Sequence, residues 1–237
     1  MNLKFKDSIL FQNISSYSEP APRVNVELLL IFKLVQYFQF KNILEIGFKE
    51  GKTFGALLEA MTHGEITAVD NNFQVHLYNK LYKNSKAVEN KKIQLIDIDS
   101  TKFRNFGQKY DFINVDGDHT MPVVYKDICL ALKEIAQNGI IMLDDFAIPD
   151  VDYSIDQFLK HNKGFVPFLM GEQSIFFHHM SNDVSYFLDI ELKKIFASFA
   201  DISDILYKDF QVKKISILPA ITTHDDIFSL ICERYEL

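Results

Sequence analysis

Short apolar runs and longer helical patterns alternate along most of the chain. Residues 24–38 are apolar around most of a helical circumference, which predicts a buried helix. Compact apolar runs at 43–47, 66–70, 93–98, 110–116 and 139–144 predict five strands. Between and after them, 53–61, 75–83, 123–136 and 154–161 have helical spacing. Five short runs separated by helices are the pattern of a doubly wound parallel sheet with helices on both faces.

The alternation breaks after 161. Runs at 165–170 and 174–178 are joined by Gly171-Glu172-Gln173 and predict a hairpin, so an antiparallel strand enters a mostly parallel sheet. The fold class is therefore α/β, with a mostly parallel seven-stranded sheet of Rossmann-like type. An extra α/β tail follows, with helical patterns at 184–199 and 225–235 and a strand at 210–218. The expected organisation is an irregular lead-in over 1–23, a main domain over 24–180, and an extension over 181–237 packed on that domain.

Composition narrows the function class. The chain has 22 Phe, 10 Tyr and no Trp, and Phe fills a core without adding a polar atom to satisfy. Net charge is −7 and no basic tract is present, so double-stranded nucleic acid is not an expected partner. Two cysteines without CxxC spacing argue against a disulfide scaffold or thiolate zinc site and fit a reducing cytosol. No signal-peptide pattern opens the chain, and Glu27, Lys33 and Gln36 interrupt its most apolar stretch, so no membrane span and a cytoplasmic location are expected.

Candidate chemistry collects where the apolar runs end. Glu45-Ile46-Gly47 runs into Gly51 and a helix, a strand-to-helix turn whose glycines let a ligand approach bare backbone. A plain turn would use the same glycines, and the GxGxxG of nicotinamide dehydrogenases is missing. Asp70 closes the second run and could accept from ribose hydroxyls or cap the next helix. Asp99-Ser100 could read an adenine edge or likewise form a cap. Asn114-Val115-Asp116-Gly117-Asp118-His119 and Leu143-Asp144-Asp145 close adjacent runs. Their converging carboxylates call for a cation, and oxygen-rich sites suit Mg²⁺ or Mn²⁺; solvated turns are the alternative.

The order Glu-Ile-Gly-x-x-x-Gly-x-Thr, Ala-Val-Asp, Val-Asp-Gly-Asp-His and Leu-Asp-Asp resembles class I S-adenosylmethionine-dependent methyltransferases over residues 24–179. Within them it is most similar to the small Asp-Gly-Asp-His group, and more distantly to metal-dependent catechol and sugar O-methyltransferases. The resemblance implies that Glu45, Gly47 and Gly51 line the methionine and ribose part of S-adenosylmethionine. It implies Asp70 on the ribose, Asp99 near the adenine, and Asp116, Asp144 and Asp145 on a divalent metal. His119 or Asp118 would take the acceptor's proton.

The function expected is metal-dependent O-methylation of a small hydroxylated acceptor, a sugar or phenolic compound. A non-catalytic assembly protein of the same fold is the competing class. Phe48 and Lys49 are bulky for a loop that hugs a cofactor, Glu50 adds negative charge there, and the apolar helix and tail could build a homodimer.

Overall fold

In the computed structural model, which describes residues 22–218 except 74, 84, 104–106, 163 and 199, the apolar runs assemble into a nine-stranded sheet. Helix α1 (Pro22–Phe38) leads to β1 (Asn42–Ile46), α2 (Lys52–Ala60), β2 (Gly64–Asp70), α3 (Val75–Leu81) and β3 (Lys91–Asp97). Then come β4 (Tyr110–Val115), α4 (Val123–Glu134), β5 (Ile135–Leu143), α5 (Pro149–His161), β6 (Phe165–Met170) and β7 (Ile175–His179). A π-helical turn (Phe187–Glu191), α6 (Leu192–Phe196), β8 (Ala200–Tyr207) and β9 (Phe210–Ile217) follow.

The strand order is β3-β2-β1-β4-β5-β7-β6-β9-β8. The first five strands pair in parallel, and β7 then runs antiparallel to both β5 and β6. Strand order reverses between β1 and β4, so their carboxyl ends open a crevice, the usual ligand position in such sheets.

Side chains alternate across the sheet into two cores. Ile43, Ile66, Phe112 and Met142 face a layer built from α1, α2 and the residues around α6. Leu44, Val69, Ile113 and Leu143 face α4 and α5. Each fully buried side chain of this kind contributes about 1.5–3 kcal/mol, which holds the strand ends in register. Among the described residues no helix is long and apolar enough to cross a membrane.

The seven expected strands all form, and the tail adds two. Strand β9 matches the run at 210–218, but it is half of a hairpin whose partner β8 the apolar pattern does not reveal. The turn between them, Lys208-Asp209, has φ of 47° and 69° at its two residues. Such turns are ordinarily marked by Asn-Gly or Gly, and here that marker is missing. Tertiary contacts hold it instead: Lys208 Nζ lies 2.9 Å from Asp152 and 2.6 Å from Asp156 on α5. Strand β9 then joins β6 in parallel, extending the main sheet. The helix expected at 184–199 forms over 185–196, with the π-turn inside it and α6 as its last part. The lead-in up to residue 21 and the helix expected at 225–235 lie outside the described residues.

Candidate functional site

Four loops leave the carboxyl ends of β1, β2, β4 and β5 and are tied to one another by backbone bonds. Gly47 N–H donates to Val69 O (2.8 Å), Asp116 N–H to Ile46 O (2.8 Å), and Asp144 N–H to Val115 O (3.0 Å). Gly47 is required here. Its φ is 93°, and an added Cβ would stand 1.9 Å from the Asp116 carbonyl oxygen. Two cavities open above these loops and share Gly47, Lys49, Asp116 and His119 as their common wall.

The larger cavity, about 540 Å³, lies over β1, β2 and β4 and is lined by Asp70, Asp99, Gly117 and Asp118. Its carboxylates are already engaged. Asp70 Oδ2 accepts from the N–H groups of Phe48 (2.8 Å) and Lys49 (3.0 Å), and Oδ1 from that of Asn72 (2.8 Å). Asp70 thus shapes the glycine loop while still facing the cavity. Asp99 Oδ1 accepts from the Thr101 N–H and hydroxyl, capping the turn Ser100–Lys102. Asp118 does the same for Thr120. These bonds hold both carboxyls below the usual aspartate value.

The smaller cavity, about 360 Å³, is different in character. It is lined by Glu27, Glu45, Asp116, Asp144 and Asp145 together with His119 and Gln173. Glu45 is 1% exposed and its Oε2 has no hydrogen-bond partner. Burial, then Asp116, pushes its pKa well above the ordinary value. Burial first, then Asp116, Asp145 and Glu27, raises Asp144. Glu27 is also raised by burial, although Oε1 accepts from Gln173 N–H (2.8 Å) and its carboxylate takes the Ser174 hydroxyl.

His119 stands between the two cavities. Nε2 lies 3.4 Å from Asp116 Oδ1 and Nδ1 lies 3.4 Å from Asp145 Oδ2. Its hydrogen bond to Asp116 is the main reason its pKa is raised. Asp116, Asp144 and Asp145 meet on the smaller cavity, with the His119 imidazole between Asp116 and Asp145. Among the described residues no group of three or more His, Cys, Asp or Glu side chains is arranged to hold a metal ion.

Gly51 stands apart from the other expected residues. It lines neither cavity, and its φ of 74° serves the residue before α2, where an added Cβ would meet the Phe48 ring at 2.6 Å. Phe48 itself is turned inward, 2% exposed, against Phe54 and Phe73. Of the bulk expected to obstruct a cofactor, the Phe48 ring is therefore core while Lys49 lines both cavities, and Glu50 is offset by Lys52 at 2.7 Å. Glu45 lines the smaller cavity and not the one holding Asp70 and Asp99.

Two buried acids escaped the sequence reading. Glu27 is the lone carboxylate in the apolar part of α1, a signal that it needs donors elsewhere. Asp127 occupies the buried stripe of α4 with Val124, Ile128 and Ala131, where an apolar residue is expected. It is 1% exposed, and burial, opposed by the Ser100 hydroxyl and aided by Asp99 and Asp118, pushes its pKa up to about 6.

Residues 44–146, which span β1 to β5 and carry all of these loops, match a family model described as a methyltransferase domain. Solved structures share its fold. The O-methyltransferase TomG from Streptomyces achromogenes, involved in tomaymycin synthesis and bound to S-adenosylmethionine, superposes with a TM-score of 0.53 at 15% identity. That match covers 72% of this chain and 88% of TomG. The S-adenosylhomocysteine-bound methyltransferase PaMTH1 from Podospora anserina gives 0.53 at 14% identity, over 76% and 92%. The N-methyltransferase NodS from Bradyrhizobium japonicum, also with S-adenosylhomocysteine, gives 0.51 at 14%, over 73% and 100%. The acceptor atom thus differs among proteins that share this methyltransferase fold. A comparison with curated proteins gives no significant sequence match.

Proposed function

We propose that the chain transfers a methyl group from S-adenosylmethionine to a hydroxyl of a small acceptor, a sugar or phenolic compound. The observation that carries this reading is the pair of cavities meeting at one wall. A two-substrate group transfer needs two pockets with the reacting atoms at their junction, and Gly47, Asp116 and His119 form that junction. Both cavities fall in the size range of small-molecule sites, about 300–1,000 Å³.

The adenosine part of the cofactor belongs in the larger cavity, against Asp70 and Asp99. Its methionine part runs past Gly47 toward Glu45. In the transfer, the sulfonium carbon–sulfur bond breaks with its electron pair left on sulfur, and a carbon–oxygen bond forms to the acceptor. The hydroxyl proton passes to His119. Asp118 is the weaker candidate, because its Oδ1 is spent on Thr120 and its pKa is lowered.

Calorimetric titration with S-adenosylmethionine and S-adenosylhomocysteine, with and without Mg²⁺, tests the reading. Micromolar binding independent of Mg²⁺ is expected. Absence of binding in both conditions would overturn it in favour of a non-catalytic assembly protein.

A further inference from the structure

The basic side chains at the walls of the two cavities are Lys49, Lys52 and His119, and they differ in what they already hold. His119 stands 3.4 Å from both Asp116 and Asp145, and Lys52 Nζ pairs with Glu50 at 2.7 Å. Lys49 is exposed and lines both cavities, and among the described residues its amine has neither an ion pair nor a hydrogen bond.

The backbone that carries this amine is strained. Lys49 has φ of 45°, in the left-handed region that favours glycine, midway between Gly47 and Gly51. Asp70 Oδ2 fixes the turn by accepting the N–H groups of Phe48 and Lys49. Phe48 is buried in the core, so the turn sends residue 48 inward and presents residue 49 at the shared wall. A glycine at 49 would take the same turn without strain. The lysine is held there against its backbone preference, and such outliers cluster at ligand sites.

We propose that Lys49 receives the carboxylate of the methionine part of S-adenosylmethionine and so fixes the cofactor across the junction of the two cavities. The inference rests on the methyltransferase reading of the site. That reading runs the methionine part past Gly47, two residues from Lys49. Its carboxylate travels with it, along a wall that already holds Asp70 and Asp116. Like charges repel there unless a cation stands between them, and among the described residues Lys49 is the lining cation without another partner. A lysine suits the task, because its compact ammonium ends a flexible four-carbon stem and can reach a carboxylate from either cavity. The adenosine and the sulfonium offer no anion to it.

The test compares S-adenosylmethionine with its decarboxylated form, which keeps the adenosine, sulfonium and ammonium and lacks only the carboxylate. Both are titrated calorimetrically into the full chain. The intact cofactor should bind about ten-fold or more tightly, the size of one hydrogen bond between charged groups. Lys49→Met should erase most of that preference. Its affinity for the decarboxylated form should stay at or above the wild-type value, which also checks folding. Lys49→Gly, which fits the φ of the turn, should lose the preference as well, and Lys49→Arg should keep it. No preference in the wild-type chain, a preference that survives Lys49→Met, or an equal loss of both ligands in Lys49→Met and Lys49→Gly overturns the role of Lys49 and leaves methyl transfer standing. Absence of binding by both compounds to the wild-type chain overturns the methyltransferase reading itself and the inference with it.

Discussion

The two cavities share a wall and are both acidic, yet their carboxylates are in opposite states. In the larger one, Asp70, Asp99 and Asp118 each accept bonds from nearby backbone N–H groups. In the smaller one, Glu45 and Asp144 are raised by burial and by one another's neighbours. Backbone donors to a half-exposed acid hold a loop, whereas burial raises an acid even where a backbone donor reaches it, as Gln173 N–H does Glu27.

The sharpest way to break this contrast is at the wall itself. Gly47→Ala places a Cβ 1.9 Å from the Asp116 carbonyl oxygen and should abolish S-adenosylhomocysteine binding, read by calorimetry. Retained wild-type affinity would mean that the 47–49 loop does not hold the cofactor.

Next in size is the proton acceptor. His119→Ala should lower methyl transfer by about 10²–10⁴-fold, measured in single turnovers with an accepted hydroxyl compound, while Asp118→Asn should change it far less. His119 must be neutral to accept a proton, and its pKa is raised above 6.5 by Asp116. The rate should rise with pH through a midpoint above that value. Asp116→Asn should move the midpoint down. An equal loss in both variants would reassign the base.

Asp70 measures the cost of losing a loop-building acid. Hydrogen bonds to a charged group contribute about 1.5–3 kcal/mol each, and Asp70→Ala removes three. Reduced thermal stability and weaker S-adenosylhomocysteine binding should appear together. A loss of affinity at unchanged stability would make Asp70 purely a ligand contact.

The smallest effect is expected at Asp127, an acid beneath the larger cavity. Its native pKa of about 6 exceeds the ordinary aspartate value of about 3.9, so the native state binds the extra proton and stability falls as pH rises between those values. The loss reaches at most about 3 kcal/mol above pH 6, and local relaxation reduces it. Asp127→Asn should remove this pH dependence and raise the melting temperature at pH 7. Denaturant unfolding at pH 4 and pH 7 should show a shallower dependence in the variant, the remainder coming from Glu27, Glu45 and Asp144; a wild-type slope in the variant would place the Asp127 share elsewhere.

Much of this arrangement was legible because it is local. Each strand of the first five is a short apolar run, and each chemically loaded loop follows one directly. The turn at 208–209 was not legible, because Lys and Asp there adopt positive φ only with α5 acids holding Lys208. Gly51 is a related case: spaced four residues from another glycine it reads as part of a ligand loop, and only the tertiary structure shows the Phe48 ring packed against it.

Hydrophobic periodicity and the residues at the ends of each run were sufficient by themselves for the fold class and for the gathering of Gly47, Asp70, Asp116, His119 and Asp144 at one edge. Those features depend on backbone geometry and the burial of alternating side chains, which act over a few residues. Tertiary structure alone decided which acids are satisfied. Donors for Glu27 come from residues 173 and 174, nearly 150 positions away, and His119 reaches from the end of β4 to Asp145 beyond β5. A carboxylate's charge state depends on what the folded chain brings within hydrogen-bond distance, and no local pattern encodes that.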